Sequence, residues 1–295
     1  VRELSNISTQ QINEEITSAQ AAKSEDYMDF VRRQSSIIFD IEESENLISC
    51  KIDDDFYVLF VKRDYYTLNK NRLTNTLGIR QPYLMGLMQY EAALEKSGIT
   101  MVQNQPYLNL RGRGILVAVI DTGIDYKNDA FIYEDGTTKI RYIWDQSAEY
   151  TGSNLCFGDE YSAEDINRAL TGEIQLNTTD ELGHGTTLAE IAAGRNGAAP
   201  DAELIVVKLK QAKRYLKDEL FLSEDTPAFE SSDLMLGVNY AYQKADELNM
   251  PVVICLGVGT NQGGHSGQTS LEDYLASVSR RYGVCLCIPT GNEGI

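Results

Sequence analysis

Residues 115–120, Ile-Leu-Val-Ala-Val-Ile, form an unbroken apolar run that ends on Asp121, with Gly123 two positions further on. Six consecutive apolar side chains cannot alternate between core and solvent. The run therefore predicts a strand buried on both faces, the habit of a parallel sheet covered by helices. Asp121 then stands at the carboxyl end of that strand, where open α/β sheets gather their functional groups. Gly123 lets the backbone turn sharply just after it. Taken alone, Asp-Thr-Gly is also an ordinary way to leave a strand, so the meaning of Asp121 depends on the rest of the chain.

A chain of 295 residues with 42% apolar side chains has material for one large α/β domain and a smaller one. The 44 acidic against 26 basic residues leave a net charge of −18, which argues against a nucleic-acid partner or an anionic membrane surface. No stretch approaches the roughly 18 apolar residues of a membrane span, and the polar residues 1–25 show no secretory signal. Val1 is not a start methionine, which fits a processed or cut chain. The five cysteines are an odd number at no metal-ligand spacing. Cys285 and Cys287 share one face of a predicted strand and Cys255 falls in another apolar run, so buried free thiols are expected.

In chain order, residues 9–33 carry a weak helical pattern through Ile12, Ile16, Ala19, Met28 and Val31. Three short β-like runs follow, at residues 37–39, 47–52 and 56–61, the last two joined by a turn at Asp53-Asp54-Asp55. These precede any alternation of strand and helix, so residues 1–80 read as a small α+β domain and residues 81–295 as the larger one. After Pro82, a helix is expected with Leu84, Leu87, Met88, Ala92 and Leu94 on its apolar face and Gly98 as its stop. From Gly114 the chain alternates. The strand to Ile120 leads through a long polar loop holding Trp144 to a helix over residues 187–194. A strand at 204–209, a helix at 233–249 capped by Ser231 or Ser232, and a strand at 251–257 come next. A helix opening on Ser270-Leu-Glu-Asp273 and ending by Gly283, then a strand at 284–288, complete the pattern. The sum is βαβαβαβ, an α/β fold on a parallel sheet with helices on both faces.

The chain has two histidines. His184 lies between Gly183 and Gly185 just ahead of a helix, a setting that suits close backbone approach with the imidazole directed into a cleft. Asp121 after one strand, His184 at a helix start and Asn292 after a later strand supply a carboxylate, an imidazole and an amide donor in that order. His265 sits in the glycine-rich segment 261–267, read equally as a cleft wall or a surface loop. Two histidines with no spaced partner make no zinc pattern. Gly112-Arg113-Gly114 precedes its strand, so the dinucleotide fingerprint fails.

These segments, 119–125, 183–186, 251–257 and 290–294, taken in order resemble the successive signature segments of the subtilisin-like serine peptidases, over roughly residues 82–295. Residues 103–106, 143–146 and 259–265 are most similar to the clostridial-type group, which includes spore germination proteases. The resemblance implies that Asp121 orients the imidazole, His184 is the general base, and the Asn292 side chain donates to the oxyanion. It implies that Cys255, Leu256 and Gly257 match the edge strand that pairs with an extended peptide or protein substrate. Residues 1–80 would be the enzyme's own propeptide, processed between roughly residues 76 and 92. With no secretory signal visible the location stays open, a cytoplasmic or spore-associated one being the expectation. No Gly-Thr-Ser segment follows Asn292, so the nucleophile is absent from these 295 residues and the chain alone is expected to be inactive. The alternative is a pseudoprotease that keeps the fold as a binding or signalling module. Thr187 stands where the family commonly has a second histidine, and Glu190 places a charge on a helix face expected to lie against the sheet. No cofactor is implied. Calcium is a possibility raised only by the acidic residues Asp145, Asp159, Glu160, Glu164 and Asp165, for which a solvated loop is the simpler reading.

Overall fold

The computed structural model describes residues 16–34, 44–87, 93–152, 155–264 and 266–290. Asn292, His265, the run at 37–39 and residues 88–92 lie outside the described residues.

The first described element is short. Thr17 caps α1 (Ser18–Lys23) through a reciprocal capping box with Gln20. The weak helical pattern at 9–33 does not continue through the turn at Glu25 and Asp26. Instead, residues 27–33 form strand β1 (Tyr27–Arg33), where Tyr27, Phe30 and Val31 suit a pleated surface. β1 pairs antiparallel with β3 (Phe56–Lys62), which pairs antiparallel with β2 (Leu47–Lys51). The turn between β2 and β3 is closed by Asp53, whose Oδ1 accepts from the N–H groups of Asp55 and Phe56. One face of this sheet packs Phe30, Leu59 and Val61 with Leu73 of α2 (Arg63–Thr76). The other turns Phe56, Val58 and Phe60 into the core of the larger sheet.

β4 (Leu84–Leu87), α3 (Ala93–Lys96) and α4 (Ile99–Gln103) follow. The expected helix over Leu84 and Leu87 is therefore a strand at its start, and Gly98, in a left-handed conformation (φ +77°), closes the turn after α3 by bonding to the Glu95 carbonyl and is also the N-cap of α4. Pro82 biases the chain toward extended backbone. Two sheet edges then take the hydrogen bonds a helix would have made internally.

The large sheet uses β5 (Leu116–Asp121), β6 (Ile140–Asp145), β7 (Asp159–Ser162), β8 (Glu203–Lys208), β10 (Val252–Leu256) and β12 (Val284–Cys287). Its order is β12-β10-β5-β8-β6-β7, parallel throughout except the last pair. β6, which holds Trp144, lies within the stretch expected as a polar loop. Between the strands run α5 (Ala163–Leu170), α6 (His184–Ala193), α7 (Arg214–Glu219), α8 (Ser231–Glu247) and α9 (Ser270–Ser279). Leu116, Ala118 and Ile120 share a core with α8 and α9, while Val117 and Val119 share one with α5 and α6. This is the two-sided burial that the unbroken apolar run requires. α8 has Glu230 as its N-cap, with Ser231 and Ser232 already helical, and the capping box of α9 is Thr269 with Glu272. A third sheet, β11-β4-β9, places β4 between β9 (Phe229–Glu230) and β11 (Val258–Gly259).

Two cysteine expectations change. Cys285 and Cys287 are exposed free thiols, and Cys255 is a half-buried one. Cys50 on β2 is joined by a disulfide to Cys156, which precedes β7, with Cα atoms 6.0 Å apart. The pairing crosses 106 positions of sequence and has no spacing signature.

Candidate active site

The period of two along a strand decides where Asp121 points. Val117 and Val119 face α6, so Asp121 faces it too, at the carboxyl end of β5. α6 opens at His184, and its imidazole Nδ1 lies 2.8 Å from Asp121 Oδ1 and 2.9 Å from Oδ2. Asp121 is fully buried and the His184 side chain is 15% exposed, which leaves the ring at the border of core and cleft.

Glycines make this approach possible. A Cβ on residue 185 would lie 2.3 Å from the Gly123 carbonyl oxygen, and a Cβ on residue 257 would lie 1.6 Å from Asp121 Oδ2. Gly123 itself has φ +122°, a backbone conformation that L side chains rarely adopt. Gly257 is thus a wall against the Asp121 carboxylate. Cys255 and Leu256 belong to β10 and pair with Val119 and Ile120. Cys255 stands opposite Cys287 across the sheet, and one proton shared between the two thiols raises Cys255 and lowers Cys287. The backbone that pairs with an extended segment is one step further on, where Val258 and Gly259 bind Leu87 and Gly86 of β4. Beside them an apolar groove of about 510 Å³ is lined by Tyr83, Met85, Leu256, Val258 and Leu275.

Polar residues that no sequence motif marks surround the pair. Thr122 donates its N–H to Asp121 Oδ1 at 2.6 Å and accepts from the Gly185 N–H at 2.9 Å. Asp180 accepts from Thr122 Oγ1, from the N–H groups of Gly183 and Thr186, and from Thr186 Oγ1, at 2.7 to 2.9 Å. The available signal was Asp180 itself, a carboxylate one turn ahead of a helix start. Glu190 is exposed, so its charge faces away from the sheet.

The acidic residues considered for calcium have protein partners. Asp145 accepts from Ser147 and Thr178, Asp159 from Thr151, and Glu160 from Tyr240 and Lys244. Asp165 closes the capping box of α5, in whose first turn Glu164 also lies. Among the described residues no three His, Cys, Asp or Glu side chains are gathered to hold a metal ion.

A buried Asp on Nδ1 of a histidine, at the carboxyl edge of a parallel sheet, invites comparison with known proteins. The sequence model described as the subtilase family matches residues 112–294, more than half the chain. The chain belongs to the subtilase family. This subtilase is 29% identical to the solved structure titled as the Clostridium perfringens CspB protease, with a TM-score of 0.54 over 66% of this chain and 38% of that one. It is 30% identical over 197 residues to the PII-type proteinase of Lacticaseibacillus paracasei, which covers 62% of this chain and 9% of that protein. It is also 30% identical over 122 residues to the subtilisin-like protease SBT1.9 of Arabidopsis thaliana, 33% of this chain and 16% of that protein. The subtilase chain thus spans less than a fifth of the length of these two curated relatives.

Proposed function

We propose that the protein is a serine endopeptidase that cleaves extended protein segments. Asp121 orients the His184 imidazole and stabilises its cation. His184 takes the proton from a serine hydroxyl that the 295 residues do not carry, and Asn292 donates to the oxyanion. The observation that carries this reading is the 2.8 Å contact of His184 Nδ1 with the buried Asp121 carboxylate. A carboxylate there keeps the Nδ1 proton in place and makes Nε2 the basic nitrogen. The placement in the clostridial-type group is supported by the likeness to the CspB protease.

The same reading makes residues 1–80 the propeptide of a subtilase domain over 81–295. β4 supports it, because it sits between two strands as a peptide substrate would. Its direction from Gly86 to Leu87 follows the partner strand from Gly259 back to Val258, and so toward Gly257 and Asp121. β4 then stands for the residues on the acyl side of a scissile bond, so the propeptide runs on past its folded domain to Leu87 and processing falls after it, within the window that ends at residue 92.

The test compares the serine-bearing enzyme with its His184→Ala variant. Peptide turnover should drop by roughly four orders of magnitude or more. Mass spectrometry under reducing conditions should find a cut between residues 87 and 92 in the parent and none in the variant. Equal turnover in the two defeats the assignment, and a parent with no turnover at all favours a non-catalytic binding module.

A further inference from the structure

We propose that Asp180 is a positioning residue for the Asp121–His184 pair, acting through the Thr122 hydroxyl. The inference rests on the triad reading above and adds a second carboxylate to it.

Thr122 Oγ1 has one hydrogen, which goes to Asp180 Oδ1 at 2.7 Å, and lone pairs, one of which takes the Gly185 N–H at 2.9 Å. The hydroxyl is therefore fixed in rotation, and with it the backbone of Thr122, whose own N–H holds Asp121 Oδ1. Asp180 Oδ1 also accepts from the Gly183 N–H, while Oδ2 accepts from the Thr186 N–H and hydroxyl. The residues on either side of His184 thus have their amide hydrogens tied down, one directly to Asp180 and one through Thr122. Thr186 Oγ1 in turn accepts from the Asp125 N–H at 2.9 Å, a third stitch between the loop after β5 and the first turn of α6.

A carboxylate that only capped α6 would need the Gly183 and Thr186 amides and nothing more. The bond to Thr122 leads to a different element, the strand end that carries Asp121. Every donor around Asp180 points at it, so the ionised form is the one that fits. Burial works against that form, and the four hydrogen bonds outweigh it, holding the carboxyl below its ordinary range.

Asp180→Asn tests the idea because an amide NH2 in place of either oxygen would face two donors. His184 and His265 are the only histidines, so the imidazole of His184 can be followed by NMR and assigned with His184→Ala. In Asp180→Asn the His184 titration midpoint should fall by about one pH unit, since the imidazolium loses both a nearby charge and a well-aimed Asp121. In the serine-bearing enzyme kcat should fall about 100-fold with KM unchanged. Thr122→Val keeps the carboxylate charge and should move the midpoint in the same direction, and Thr122→Ser should restore it. Unchanged midpoints and kcat in both Asp180→Asn and Thr122→Val overturn the proposal, as does a Thr122→Ser variant as impaired as Thr122→Val. If Asp180→Asn does not fold, the two Thr122 variants decide alone. Turnover that survives His184→Ala removes the triad reading while leaving the titration result standing.

Discussion

Gly257 and Asp121 share a space with no room for one more carbon. A Cβ on residue 257 would overlap the Asp121 carboxylate and also lie 2.9 Å from Leu188 Cδ2. Gly257→Ala is therefore expected to push the carboxylate off His184 Nδ1. Overpacking of this kind costs about 1–3 kcal/mol in stability, and the loss of the aligned carboxylate should cost far more in turnover. Thermal melts and peptide hydrolysis measured side by side on the serine-bearing protein check this, and a Gly257→Ala variant of it with parental activity would contradict the geometry. At this scale the sequence was informative about identity and less so about role. The Gly-His-Gly pattern pointed to close approach, and Gly185 is where it happens. Gly183 has open space around it and contributes a left-handed turn instead (φ +74°). Asp180 and Thr122 went unnoticed because their partners are remote in sequence, and hydrogen bonds across 58 and 63 positions leave no local pattern.

Helix α6 shows how an element places a side chain. Gly185, Ala189 and Ala193 recur every four residues, are all buried, and form the stripe that lies on β5 and β8. Small side chains let the helix axis come close enough for His184 to reach Asp121. Ala189→Leu should lift the helix from the sheet, lowering stability by about 1–3 kcal/mol and lengthening the Nδ1 contact. Paired measurements of denaturant midpoint and kcat/KM on the serine-bearing protein would detect both, and a variant equal to the parent in both would show that the spacing is not critical. The helix itself was legible, as were β5, β8 and β10, because continuous apolar runs in a parallel sheet need no knowledge of partners. β4 was misread because Leu84, Leu87 and Leu94 fit a helical period by chance, whereas its conformation is imposed by the edges of β9 and β11. β6 was missed because Arg141 and Tyr142 interrupt its apolar character, although Trp144 and Ile143 are buried.

For the whole molecule, the first sheet and the large one meet along a shared seam. Phe56, Val58 and Phe60 enter the same core as α8 and α9, and the Cys50–Cys156 disulfide crosses the seam. A cut after Leu87 would therefore leave the two pieces covalently joined until reduced. At the centre of the seam lies a fully buried charge cluster. Asp29 of β1 pairs with Lys213 and lies 3.6 Å from Lys210, and Asp233 holds Lys210 at 2.8 Å. Glu230 accepts from the Lys213 N–H, and Tyr215 exchanges hydrogen bonds with the backbone of Asp29. Three carboxylates thus share two ammonium groups out of water. Burial, reinforced by Asp29, pushes Glu230 up to about 8, and burial raises Asp233 to about 6 against the pull of Lys210. In the unfolded chain both titrate near 4. Between those values the folded protein binds more protons than the unfolded one, so stability falls as pH rises. The contribution is present in full below pH 4 and is lost as pH passes through about 6 and then 8. Glu230→Gln removes the proton that must leave, so its melting temperature should decline less between pH 5 and pH 9 than the parent's. Differential scanning calorimetry on both at three pH values tests this. Parallel curves would mean that Glu230 stays ionised in the seam and that the two lysines satisfy all three carboxylates.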